Sequence, residues 1–228
     1  MRILALGGVA GPVVFAMVIL VSAALRPGYS HVTNLISELG ATGTPYAVLM
    51  NYAGFVPAGL MLAAFGVALA GVLPRQRPAL AGAVLVTLFG AGVAFSGVIS
   101  CDPGCPQSGG SFENLMHDRI APIAFLSLIV GVAILGFHFR RLPAWRHLAA
   151  YSLLTSGIAL LSLVALAISL ESRVLTGLWQ RLMLTSVLLW CAVIGLGAYR
   201  GAALPSSPSN SMQPTREKPR AAESALGD

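Results

Sequence analysis

Six apolar stretches, each about as long as a bilayer is thick, decide what this chain can become: Ile3–Leu25, Tyr52–Leu73, Leu80–Ser100, Ile120–Phe139, Leu148–Leu170 and Leu178–Tyr199. A helix rises 1.5 Å per residue, so about 20 apolar residues cross a hydrocarbon core of ~30 Å. No stretch has an acidic residue at its centre. The expected fold class is all-α, a polytopic transmembrane bundle of six helices with short cytoplasmic turns and longer outer loops. Residues 1–200 form this transmembrane domain.

Charge is scarce, at 10% of 228 residues against 56% hydrophobic, where a soluble domain carries about 25%. The mean hydropathy is +0.81. The net charge of +6 does not indicate nucleic acid, because no basic stripe with interleaved aromatics accompanies it. Its distribution follows membrane topology instead. Arg2, Arg75, Arg77, Arg140, Arg141, Arg146 and Arg200 fall on one side of the crossings, with no acid among them. Arg26, Arg119, Arg173 and Arg181 fall on the other, with Glu38, Asp102, Glu113, Asp118 and Glu171. Basic residues near helix ends are retained in the cytoplasm. Both termini are therefore expected inside, in an inner (cytoplasmic) membrane. Read as a cleaved signal peptide, the first stretch would exceed the 7–15 residues of a signal core, and its removal would spoil the charge alternation.

The turns around Pro74–Pro78 and Arg140–Pro143 are short, so their flanking helices must be antiparallel neighbours. Gly66, Gly71, Arg75 and Pro78 echo Gly131, Gly136, Arg140 and Pro143 at one offset, as duplication of a two-helix unit would leave them, though glycine is common in all membrane helices. Gly7 and Gly11 form a GxxxG pair, available to a homo-oligomer or to a neighbouring helix of the same bundle. Pro57 and Pro122 are expected in first helical turns, where a missing N–H costs little. Residues 201–228, rich in Ser, Pro and charge, read as a disordered cytoplasmic tail. Arg216, Lys218 and Arg220 in it are placed to brush anionic headgroups.

The longer outer connections hold the functional groups. From Ser30 to Gly40 a short helix is expected, capped by Ser30 and ended by Gly40. Val32, Leu35, Ile36 and Leu39 would share one face, and His31, Asn34 and Glu38 the other. The next connection carries Cys101-Asp102-Pro103-Gly104-Cys105-Pro106, then Glu113, His117, Asp118 and Arg119. Outside the cytoplasm Cys101 and Cys105 suit a disulfide closed by the Pro-Gly turn. The rival is a metal site using the thiols and His117. Cys191, inside the last helix, reads as a packing residue. Asp102 and His117 flank one loop, and an imidazole beside a carboxylate is the minimum for general base work or an oriented metal ligand. Arg181, slightly inside the last helix, needs a partner, for which Glu38, Asp102 or Glu171 would serve. Glu38, Asp102, His117 and Arg181 thus form a candidate ligand-binding or ion-pair cluster.

Several of these residues carry a resemblance. Ile36-Ser37-Glu38-Leu39-Gly40, the Cys-Asp-Pro-Gly-Cys-Pro turn with His117 downstream, and Gly177-Leu178-Trp179-Gln180-Arg181 resemble a bacterial six-helix membrane family known as domain of unknown function 998. The resemblance spans about residues 5–200 and implies six membrane helices. It implies no activity, cofactor or substrate, and it marks the same four cluster residues without giving them roles.

Two functions stay open on the sequence. One is a non-enzymatic membrane protein whose outer cluster is structural, or binds a lipid headgroup, small ligand or partner. The other is a membrane-embedded hydrolase or transferase acting on a lipid-like substrate, in which His117 and Asp102 activate water. Such an enzyme would need no cofactor, or zinc on the weak donor set His31, Asp102 and His117. Three-histidine zinc ligation is ruled out, since His138 and His147 lie at the opposite face. No GxSxG, HExxH or nucleotide loop occurs. That shortage favours the first reading. Ion-coupled transport is disfavoured too, because the helices offer only Ser, Thr and Gly at depth.

Overall fold

Every apolar stretch is helical in the structure, a computed structural model that describes residues 1–201. The spans are α1 (Arg2–Leu25), α2 (Ala47–Val72), α3 (Arg77–Val98), α4 (Phe112–Phe139), α5 (Arg146–Ser169) and α6 (Thr176–Gly201). No strand occurs among the described residues. The expected tail lies, apart from Gly201, outside them.

Each helix packs against its neighbours in sequence, and α1 closes the ring on α6. Lipid is as apolar as leucine, so close backbone approach and buried hydrogen bonds must supply the association. Both devices are present. A Cβ at Gly59 of α2 would strike the backbone of Ala94 in α3, and one at Gly90 would strike that of Ala63. Trp190 of α6 donates its indole N–H to Ser152 of α5 at 2.9 Å, and Ser156 of α5 donates to the Ile129 carbonyl of α4 at 3.0 Å. Phe65 and Trp190, both fully buried, meet edge to face across the centre. Outward faces keep large apolar residues such as Leu161 and Ile168.

Three local expectations resolve differently. Gly7 and Gly11 face α2 of the same chain, where a Cβ at Gly7 would collide with the Met61 carbonyl. Both glycines thus pack within the bundle, one of the two uses their spacing allows. Pro57 does open the α-helical part of α2, but a π-helical segment, Met50–Phe55, precedes it, so the span begins at Ala47. Pro122 sits well inside α4, because that helix starts at Phe112, where the Ser111 hydroxyl accepts the Asn114 N–H. α4 thus rises past the apolar stretch and carries His117 and Asp118 with it.

Candidate functional site

The loops α1–α2, α3–α4 and α5–α6 gather at one end of the bundle. The expected helix from Ser30 to Gly40 is broken there. Ser30 caps a single turn, its hydroxyl accepting from Val32 and Thr33, and only Ser37–Gly40 is helical, as a 3₁₀ turn. The reason is local: two backbone donors are taken by side chains. Leu35 N–H goes to Glu38 Oε1 at 2.9 Å, and Ile36 N–H to Gln180 Oε1 at 2.7 Å. Backbone groups so occupied cannot extend a helical ladder.

Glu38, placed by pattern on a polar face, is in fact buried. Asn34 donates to its Oε2 at 2.8 Å, and Arg173 forms an ion pair with its Oε1 at 3.3 Å. Arg173 also donates to the carbonyls of Gly104 and Cys105, at 2.9 and 2.8 Å. One guanidinium thereby ties all three loops together. Its backbone is left-handed, with φ at 58°, a conformation that disfavours a long side chain.

Asp102 and His117 do not pair. Both Asp102 oxygens are held by Ser111, Oδ2 by its N–H at 2.6 Å and Oδ1 by its hydroxyl at 2.8 Å. Asp102 is thus a cap organiser ahead of α4. Asn114 extends the network, accepting from Asp102 N–H and donating to the Pro106 carbonyl and to Asp118. Cys101 and Cys105 are joined as a disulfide, and the Ser37 hydroxyl lies 3.4 Å from the Cys105 sulfur.

His117 faces inward instead. Its Nδ1 is 2.8 Å from the Ile99 carbonyl. A carbonyl only accepts, so the ring proton sits on Nδ1 and a neutral ring leaves Nε2 as an acceptor. Nε2 has no partner among the described residues. Gln180, also buried, is its counterpart: Oε1 is fixed by Ile36 N–H, so the Nε2 amide has donors to give and no acceptor among the described residues. Both side chains line a cavity of about 150 Å³ with Ser37, Asp118, Phe125 and Leu166. They also line a smaller one of about 50 Å³ with Phe15, Phe55 and Ser96. The larger opens between Pro122 of α4 and Ala167 of α5, both exposed on the side of the bundle. Pro122 also lacks the N–H that would close on the Asp118 carbonyl.

Arg181 finds no carboxylate, contrary to expectation. It donates through Nε to His31 Nδ1 at 3.1 Å, through Nη1 to the carbonyls of Asn34 and Gly177, and through Nη2 to the Tyr29 hydroxyl at 2.6 Å. Of the three acids expected to serve it, Glu38 belongs to Arg173, in the one ion pair among the described residues, and Asp102 to Ser111. Arg181 and Arg26 both approach Tyr29, their guanidinium carbons 5.6 and 5.8 Å from its ring centroid. Burial pushes the Tyr29 phenol above its ordinary range, with Arg181 opposing. His31 is held below the usual imidazole range by loss of water and then by the Arg181 charge.

The four expected cluster residues therefore occupy four networks: Glu38 with Arg173, Asp102 with Ser111, His117 with Ile99, Arg181 with His31. Among the described residues no three His, Cys, Asp or Glu side chains converge as a metal site, and the set His31, Asp102 and His117 is dispersed in this way. Gln180, Arg173, Asn114 and Tyr29 are the additions that sequence reading passed over. Ser111 with Asn114 was findable as a helix-start signal. Gln180 was not, because nothing in the letters sets it against Ile36.

Six apolar spans ringed about a small buried polar end define a multi-pass helical membrane protein. Residues 9–197 match the family described as Protein of unknown function (DUF998), and the chain belongs to that family. No curated protein and no solved structure matches it.

Proposed function

We propose that this is an inner-membrane protein, both termini cytoplasmic, that takes an uncharged amphipathic molecule from the bilayer into the cleft between α4, α5 and α6. The observation that carries the reading is the pair of unpartnered nitrogens, His117 Nε2 as acceptor and Gln180 Nε2 as donor, lining one largely apolar cavity that opens on the side of the bundle. Both nitrogens open onto the cavity, so a hydrogen-bonding group that enters it can meet them. A ligand group that both donates and accepts, an alcohol, an amide or a protonated carboxyl, satisfies both at once. The apolar walls then take its hydrocarbon part. Anionic headgroups are disfavoured there, since the Asp118 carboxylate and no Arg or Lys lines the cavity.

Binding is favoured over hydrolysis because Asp102 is committed to Ser111 and the Ile99 carbonyl orients His117. Lipid analysis of detergent-purified protein tests the reading. An uncharged lipid should be enriched over the bulk membrane extract in the wild type and lost in both His117→Ala and Gln180→Ala. Equal lipid profiles in all three proteins would sink it. Stoichiometric zinc in the wild type, lost in His117→Ala and Asp102→Asn, would support the hydrolase or transferase reading instead.

A further inference from the structure

A second apolar groove opens at another seam of the bundle. Between α1 and α6 runs a groove of about 230 Å³, walled by Phe15, Ile19 and Leu20 on one helix and Leu184 and Leu188 on the other. Ala16 and Thr185 on its rim are exposed, so it opens outward along the bundle. Arg181 and His31 stand at its head. We propose that this groove holds one anionic glycerophospholipid, its phosphate on Arg181 and His31 and an acyl chain along the apolar walls.

Charge complementarity argues for that occupant. Every hydrogen-bond partner of Arg181 is neutral: an imidazole, a phenol and two carbonyls. Arg26, whose guanidinium carbon also lies near the Tyr29 ring, is likewise satisfied only by a carbonyl, that of Glu38. The nearest carboxylate is paired with Arg173. Two half-buried guanidinium charges thus meet at one corner with no carboxylate bonded to either, and their field favours an anion there.

The donor count fits a phosphodiester. A guanidinium has five N–H groups; four of Arg181's are used within the chain, leaving one on Nη2. Because His31 Nδ1 accepts from Arg181, the His31 ring proton must lie on Nε2, which has no acceptor among the described residues. Two donors and a net positive charge above a hydrocarbon-lined groove match a phosphate joined to acyl chains. Arg181 is also pre-ordered by its four bonds, so little side-chain entropy is lost on binding. The α4–α5 cleft lacks any cation, and the two seats select different lipids.

Native mass spectrometry of the full chain, released from nanodiscs of equal phosphatidylglycerol and phosphatidylcholine with matched acyl chains, tests the proposal. The wild type should retain one phosphatidylglycerol in preference to phosphatidylcholine. Arg181→Gln should lower that preference about fivefold, the worth of one basic residue at a membrane surface. Ala16→Trp fills the groove from its exposed rim without touching the loops, and should abolish retention while thermal stability is kept. His117→Ala should retain the phosphatidylglycerol, separating this seat from the α4–α5 cleft. Equal retention of both lipids by the wild type, or wild-type retention in Ala16→Trp, overturns the proposal. So does a dimer that Ala16→Trp dissociates without any lipid preference, which would give the groove to a second copy of the chain.

Discussion

The Glu38–Arg173 pair concentrates much of the loop architecture, because one guanidinium in the α5–α6 connection bonds to both of the other two. Glu38 is almost fully enclosed, whereas Arg173 keeps about a third of its side chain exposed, at 6% and 34%. Removing the arginine therefore leaves a buried carboxylate with only Asn34 and a backbone N–H, while removing the acid leaves a cation that can turn to solvent. Arg173→Ala should cost about 2–3 kcal/mol and Glu38→Gln about 1–2 kcal/mol, read by thermal unfolding in detergent. Equal losses would mean that packing, not charge, holds the loops. His31 offers a finer probe at the same scale. Its imidazole is held down by partial burial and by Arg181. Arg181→Gln removes the second cause, so the His31 pKa should rise toward its ordinary value, measurable from its ring proton shifts against pH. An unchanged or lower value would show that the guanidinium does not lie beside the ring.

At the level of elements, the spans were legible and the ends of the spans were not. A run of 20 apolar residues has one stable answer in lipid, whatever its neighbours do. Where a helix begins depends instead on who satisfies its first N–H groups. For α4 that is Ser111, itself held by Asp102, and the helix accordingly starts eight residues before the apolar run, at Phe112 rather than Ile120. Hydropathy could not register this, since Glu113, Asn114, His117 and Asp118 read as loop. The same blindness dissolved the expected Ser30–Gly40 helix: its periodicity was sound, but Glu38 and Gln180 capture two of its backbone donors. Pattern reports which face a residue prefers; it does not report distant competitors for a hydrogen bond. The Ser111 cap is directly testable. Ser111→Ala loses the bond to Asn114 and one hold on Asp102, and should destabilise the start of α4 by about 1 kcal/mol, with faster amide exchange confined to residues 112–118. Uniformly faster exchange along α4 would place the cap's influence elsewhere.

For the whole molecule, fold class and family membership followed from the letters, while the candidate site did not. Glu38, Asp102, His117 and Arg181 were all found at one end, yet each answers to a partner fixed only by the ring of helices. The cavity itself is a product of that ring: Pro122 on α4, Leu166 on α5 and Gln180 on α6 come together from three spans. Orientation is the remaining property of the whole. Seven arginines and no acid flank the turn-bearing end, whereas four arginines and five acids flank the end that carries the disulfide. Lys and Arg excess in short loops sets which end stays in the cytoplasm. The short turns after Val72 and Phe139 are of the kind on which that rule acts. Alkaline phosphatase fused at Gly110 should therefore be active and one fused at Asn210 inactive, with the converse for a cytoplasm-dependent fluorescent reporter. Replacing Arg75, Arg77, Arg140, Arg141 and Arg146 with Gln removes five of the seven basic residues and should yield a mixture of orientations. If the Asn210 phosphatase fusion is the active one in the unaltered chain, the cleft and the groove both face the cytoplasm. The disulfide would then lie in a reducing compartment, where such bonds rarely persist.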